Sequence, residues 1–127
     1  MSFLKISNLS VDYKMRKETV NAAKNINIDI KKGEIVGLVG ESGSGKSTVA
    51  NAIVNLIDEP GKVSSGLILM GETNISENPE TIVQYRGKKI GLIFQDPQTS
   101  LNPILTIGEQ LIDCLLYTSD AADELSR

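Results

Sequence analysis

The sequence has no histidine and no tryptophan, a single cysteine at Cys114, and aromatic side chains at only 4% of its 127 positions. Without histidine, the commonest metal ligand and general base is missing. One cysteine cannot close an internal disulfide, so stability has to come from packing. Lysine and arginine are scattered rather than clustered and the net charge is −3, which argues against a nucleic-acid-binding surface. No apolar run approaches the ~18 residues of a membrane-spanning helix. The start, Met1-Ser2-Phe3-Leu4-Lys5-Ile6, has neither a positive n-region nor a long apolar stretch, so the chain reads as cytosolic. With 40% apolar residues, this length can build one domain with a real core.

Against those absences stands one dense motif. Gly40-Glu41-Ser42-Gly43-Ser44-Gly45-Lys46-Ser47 follows directly on the apolar run Ile35-Val36-Gly37-Leu38-Val39. A triphosphate is a concentrated anion and has to be met by donors with no side chain in the way. Gly40, Gly43 and Gly45 let successive backbone N–H groups form a concave nest. A helix beginning near Lys46 adds the positive end of its dipole. In a loop of this pattern the lysine, here Lys46, reaches the β- and γ-phosphates, the hydroxyl of Ser47 ligates Mg²⁺, and Thr48 supports from behind. The alternative is a glycine-rich turn with no ligand.

The rest of the chain reads as alternating strands and helices. Leu9, Val11 and Tyr13 alternate with polar neighbours, as do Ile26, Ile28 and Ile30, which predicts two half-buried strands joined by the polar stretch Lys14 to Thr19. Glu34 to Val39 is apolar almost throughout and predicts a central strand covered on both faces. A helix follows the loop, with Val49, Ile53, Leu56 and Ile57 on one face, until Pro60-Gly61 stops it. Leu67 to Met70 predicts a strand between two glycines. Ser76 or Asn78 is placed to cap a short helix from Pro79 to about Arg86. Ile90 to Phe94 predicts a further strand running into Gln95-Asp96-Pro97.

Taken together, the loop Gly40 to Ser47 and the segment Phe94-Gln95-Asp96-Pro97-Gln98-Thr99-Ser100-Leu101-Asn102-Pro103 resemble the ATP-binding subunits of ABC transporters. The second segment is similar to that of the oligopeptide, dipeptide and nickel importer group. The resemblance runs from about Leu4 to Asp113. It implies an α/β fold: part of a P-loop nucleoside triphosphate hydrolase core with an N-terminal antiparallel β subdomain. It implies ATP and Mg²⁺ as cofactors, with the Walker A loop Gly40, Glu41, Ser42, Gly43, Ser44, Gly45, Lys46, Ser47 and Thr48 holding the nucleotide. Gln95 matches the Q-loop glutamine, which in the family ligates Mg²⁺, helps place the attacking water and links the site to the membrane subunits. Lys46 and Gln95 are thus the implied catalytic residues, and Ser47 and Gln95 the implied metal ligands. Tyr13 falls where the family places an aromatic that stacks on adenine; packing within the strand is the alternative.

The family context also implies a place and company. Such subunits sit on the cytoplasmic face of the membrane as peripheral proteins. They work with transmembrane permease subunits and a second ATP-binding subunit in a dimer sandwich, and indirectly with a solute-binding protein; nucleic acid is not a partner. Peptide uptake is the implied task. The signature motif, the Walker B aspartate, the catalytic glutamate and the switch histidine that the family carries are not found in this sequence. Ile90 to Phe94 with Asp96 could be mistaken for a Walker B strand, but Gln95 intervenes and no glutamate follows Asp96. Cys114-Leu115-Leu116-Tyr117-Thr118-Ser119-Asp120-Ala121-Ala122-Asp123-Glu124 resembles the in-frame translation of a transposase adaptor from sequencing libraries. Residues 1–113 are then the N-terminal part of a nucleotide-binding domain and residues 114–127 a non-native tail. The alternative is an ordinary amphipathic helix over 104–124, with Ile107, Leu111 and Leu115 on one face. Two rival functions are a small GTPase or P-loop kinase, disfavoured by the lack of Asn-Lys-x-Asp and Asp-x-x-Gly motifs, and a nucleotide-binding module without catalysis.

Overall fold

The structure is a computed structural model, and it describes residues 2–118, with side chains described for 2–116. The chain divides into two compact units, Met1–Arg86 and Gly87–Arg127. The first begins with two long strands, β1 (Ser2–Lys14) and β2 (Thr19–Lys31), paired antiparallel across a short polar loop. The sequence-predicted pair is therefore present.

The inward-facing residues of β1 explain its shape. Leu4 and Ile6 are buried, and so are Leu9 and Val11, yet the step from Ile6 to Leu9 has the wrong parity for a regular strand, whose side chains alternate. A β-bulge corrects the parity. The register slips between Ile6↔Ile28 and Leu9↔Ile26, and Asn8 and Asn25 both take φ of 50°. Asn8 N donates to Asn27 Oδ1 at 2.9 Å and Asn25 N to Ser10 Oγ at 3.0 Å, so side chains supply bonds that the ladder loses there.

β3 (Gly61–Met70) pairs with the other edge of β1, and the short β4 (Thr73–Asn74) pairs with the end of β3, giving the order β2-β1-β3-β4. β3 is longer than the predicted Leu67 to Met70 because Gly66, at φ 90°, lets the strand continue past the bulge. A Cβ at Gly66 would lie 2.4 Å from Asn8 O. Helix α1 (Lys46–Ile53) packs on β1 and β2, and α2 (Pro79–Tyr85) follows β4. Val49, Ala52 and Val54 join Ile68, Ile75 and Ile82 in a core with the β1 residues. Each large aliphatic side chain buried there contributes about 1.5–3 kcal/mol. Asn78 is the N-cap of α2, as predicted, but its side chain makes no cap bond; Nδ2 donates instead to Asn74 O at 3.0 Å.

Two predicted strands are corrected. Glu34 to Val39 forms no ladder, and Ile35 and Val39 are 98% and 95% exposed. A central strand exists only through its neighbours, and among the described residues none pairs with this segment. Ile90 makes only an isolated bridge, Gly91 to Phe94 are in no strand, and Ile93 is left 88% exposed. In the second unit a 3-10 turn spans Pro97–Ser100, and helix α3 spans Ile107–Thr118. Helix α1 also ends earlier than predicted, at Ile53, leaving Leu56 exposed. Asn55 is the reason: its left-handed φ of 55° turns the chain out of the helix.

Candidate phosphate-binding site

The loop between Val39 and α1 is held by its own backbone and by Lys46. Ser44 N donates to Glu41 O at 3.0 Å, and Val49 N to Gly45 O at 3.0 Å. Gly43 and Gly45 take φ of 84° and 98°, values that fold a short peptide into a nest only where no Cβ interferes. Gly45 is the N-cap of α1 and brings no side-chain oxygen to cap it. Donors at the start of a helix have no partner within the helix itself, so this end presents them with no capping side chain across it.

Packing separates the glycines: a Cβ on Gly45 meets backbone, one on Gly40 the rotatable side chain of Ser44. A Cβ on Gly45 would stand 2.4 Å from Ala22 O, because the loop leans on β2 at Ala22 and Ala23. A Cβ on Gly40 would stand 2.4 Å from Ser44 Oγ. Lys46 Nζ donates to Gly40 O at 2.5 Å, to Glu41 O at 2.6 Å and to Ser44 Oγ at 3.1 Å. The ammonium is therefore drawn back over the loop, with all three of its donors used. Ser47 is exposed and Thr48 half-buried in the first turn of α1, while Glu41 and Ser42 are exposed on the loop.

Gly40 to Thr48 are thus brought together on one loop and helix end. Tyr13 lies along β1 from Val11, and Val11 pairs with Ala23, next to Ala22, whose carbonyl the loop rests on. The Tyr13 ring packs over Gly61, where a Cβ would meet its Cε1 at 2.6 Å. Gln95 belongs to the second unit and is exposed ahead of Asp96, which has a φ of 56°. There Thr99 N and Oγ1 both donate to Asp96 O, at 3.1 and 2.8 Å.

Three features were missed in the sequence. Arg86 of the α2 C-cap donates from Nε to Val54 O at 2.8 Å and from Nη2 to Asn55 O at 2.8 Å. Its reach across 32 residues leaves no local signature. Gln110 fastens the turn before α3, accepting from Asn102 N at 2.8 Å and donating to Asn102 O at 3.1 Å. Thr106 and Glu109 form a capping box, with Thr106 N donating to Glu109 Oε2 at 2.9 Å and Glu109 N to Thr106 Oγ1 at 3.2 Å. The spacing Thr-x-x-Glu was a signal that could have found it. Both Thr106 donors hold the Glu109 carboxyl below its ordinary range, the backbone N–H more than the hydroxyl.

Known proteins resemble this chain in sequence and in fold. The chain is 40% identical over 118 residues to an oligopeptide transport ATP-binding protein, AppD of Bacillus subtilis, covering 91% of this chain and 36% of that protein. It is 40% identical over 116 residues to the dipeptide transport ATP-binding protein DppD of Haemophilus influenzae, covering 91% and 35%. The glutathione import ATP-binding protein GsiA of Salmonella typhimurium is 37% identical over 128 residues, covering 95% and 20%. The chain therefore spans about a third or less of the length of these relatives. Among solved structures, the dimeric bacterial ABC transporter cassette MJ0796 is 35% identical, with a TM-score of 0.76 over 91% of this chain and 48% of that one. A post-hydrolysis state of the same cassette, bound to ADP and Pi, matches equally well. The fold is thus that of part of an ABC ATPase cassette, a P-loop α/β core with an antiparallel β subdomain. Since the family model for ABC transporters matches residues 23–127, the chain belongs to the ABC transporter family.

Proposed function

We propose that this chain is the ATP-binding part of an ABC importer subunit that takes up peptides or a chemically similar solute, with Gly40 to Thr48 as the Mg·ATP site. The carrying observation is the helix end at Gly45, uncapped and roofed by glycines, with the Lys46 ammonium drawn over it. Those residues fit a triphosphate. The nest offers backbone N–H groups, the glycines leave room for close approach, and the lysine holds on to carbonyl oxygens and a hydroxyl that phosphate oxygens can replace. In this reading the loop backbone and Lys46 bind the phosphates, Ser47 ligates Mg²⁺, Tyr13 offers a face to adenine, and Gln95 takes the metal-ligand role that its match to the family's Q-loop implies. Bound Mg²⁺ would neutralise charge on the β- and γ-phosphates. Gln95 would orient water. Hydrolysis needs a carboxylate at the attacking water, and the sequence carries no residue matching that role, so this polypeptide binds without turnover. A nucleotide-binding module without catalysis is therefore the second reading for the chain taken alone.

Peptide-class cargo is supported by the relatives named for oligopeptide, dipeptide and glutathione transport. The subunit would act at the cytoplasmic face of the membrane, paired with a second ATP-binding subunit and docked on transmembrane permease subunits that a solute-binding protein supplies. Among the described residues no helix is long and apolar enough to cross a membrane. Calorimetric titration of Mg·ATP and Mg·GTP into the chain and into Lys46→Ala tests the site. Losing a charge-assisted contact of about 1.5–3 kcal/mol should weaken ATP at least tenfold. Equal ATP affinity for both forms removes the assignment, and preference for GTP moves the chain to another nucleotide class. Phosphate release from the wild-type chain should match that of Lys46→Ala.

A further inference from the structure

Helix α1 carries the phosphate-binding loop at one end, and its other end is finished by residues outside it. Leu56 N donates to Asn51 O at 2.8 Å and Asn55 N to Ala52 O at 3.2 Å, the paired bonds of a Schellman stop with asparagine in the left-handed position. Those bonds satisfy Asn51 and Ala52, not the carbonyls that follow. The last turn of α1 contains no basic residue. Arg86 fills the gap: Nε and Nη2 both donate to Val54 O, and Nη2 donates to Asn55 O as well. Its own backbone N–H is committed to Ile82 O at 3.0 Å, so the side chain is anchored at the end of α2.

We infer that Arg86 is a positioning residue for the phosphate loop, clamping the C-terminal end of α1 so that its N-terminal end is held in register with Gly40 to Ser47. The inference rests on reading Gly40 to Thr48 as an ATP site. Two physical effects act together. The planar fork engages adjacent carbonyls at once and fixes where the helix ends, which a single-point ammonium cannot do. Its charge also stands at the negative end of the helix dipole, leaving the positive end free to act on the phosphates. The side-chain hydrogen bonds of Arg86 go to Val54 O and Asn55 O, so its effect on nucleotide binding is carried through the end of α1. The short α1 of eight residues is too brief to hold its own axis without tertiary support.

The test compares Arg86→Lys and Arg86→Gln with the wild-type chain, each checked for folding by circular dichroism. Amide exchange in α1 should speed by about tenfold in Arg86→Gln, with β1 and β3 unchanged, as for local opening of one element. At a temperature where all forms are folded, Mg·ATP affinity should fall about fivefold in Arg86→Gln, the scale of one charge–dipole or hydrogen-bond contribution. Arg86→Lys should recover part of it, since it keeps the charge and loses the fork. If Arg86→Gln does not fold, Arg86→Lys alone decides, by the same two measurements. Unchanged α1 exchange overturns the clamp, and faster exchange with wild-type ATP affinity overturns the positioning role while leaving the ATP site standing. A wild-type chain that binds no ATP removes both readings together.

Discussion

Gly45 concentrates the residue-scale argument, because two independent constraints meet on it. Its φ of 98° is one that L side chains rarely adopt, and a Cβ there would press on the backbone carbonyl of Ala22 at 2.4 Å, which no rotamer change relieves. Gly43 has the first constraint, with φ 84°, but nothing within 4 Å of its virtual Cβ. Gly43→Ala should therefore lose only the conformational term, about 1–2 kcal/mol. Gly45→Ala should lose that and the contact with β2, with a melting temperature clearly below that of Gly43→Ala. Thermal denaturation of the two variants checks the order, and equal losses would mean that the loop does not rest on Ala22. The motif was legible in the sequence down to each glycine. Which glycine is pinned by sterics was not, because the opposing atom belongs to β2 and only the fold brings it near. Tyr13 shows the same limit: an aromatic on a strand is visible in the sequence, while its seat over Gly61 is not.

At the scale of elements, periodicity identified β1, β2 and α1, the cap position ahead of Pro79 identified α2, and features set by single residues were missed. The bulge at Asn8 could be sensed only in the parity step from Ile6 to Leu9. The end of α1 was written in Asn55, but Leu56 and Ile57 carried the apolar period past it, and Pro60-Gly61 looked like the stronger stop. Helix α3 was foreseen only as the alternative to a tail. Its start is fixed by the Thr106–Glu109 box, and that box titrates. The bonded carboxyl of Glu109 is held below its ordinary value of 4.5. A lowered folded value means that the cap's contribution is fully present above the ordinary carboxylate range and is lost as pH falls through the lowered value. Amide protection at the start of α3, taken relative to intrinsic exchange at each pH, should fall on acidification in the wild-type chain, whereas Glu109→Gln, which keeps an acceptor and cannot titrate there, should show a flatter profile. Identical profiles for the two forms would rule out Glu109 as the titrating group.

For the molecule as a whole, the sequence placed apolar strands at Glu34 to Val39 and Ile90 to Phe94, and neither forms a ladder among the described residues. Being covered on both faces is a property of neighbours, which no pattern within the segment can report. The same reasoning bears on the end of the chain. Residues 119–127 lie outside the described residues, and α3 continues through Cys114 to Thr118, so a helix runs across the proposed junction at Asp113. Continuity of a helix is weak support for a native segment, because local propensity can extend one that is already capped at Thr106 and tied down by Gln110. Leu115 is 63% exposed, whereas Leu116 is 37% exposed and keeps most of its surface covered. We propose, from the adaptor-like sequence rather than from packing, that residues 114–127 are a non-native tail. Deleting them should leave the melting temperature within about a degree or two, a surface-scale change, and leave Mg·ATP affinity unaltered. A larger loss of stability would show that the cover over Leu116 is packing the fold depends on, and that the segment belongs to the protein.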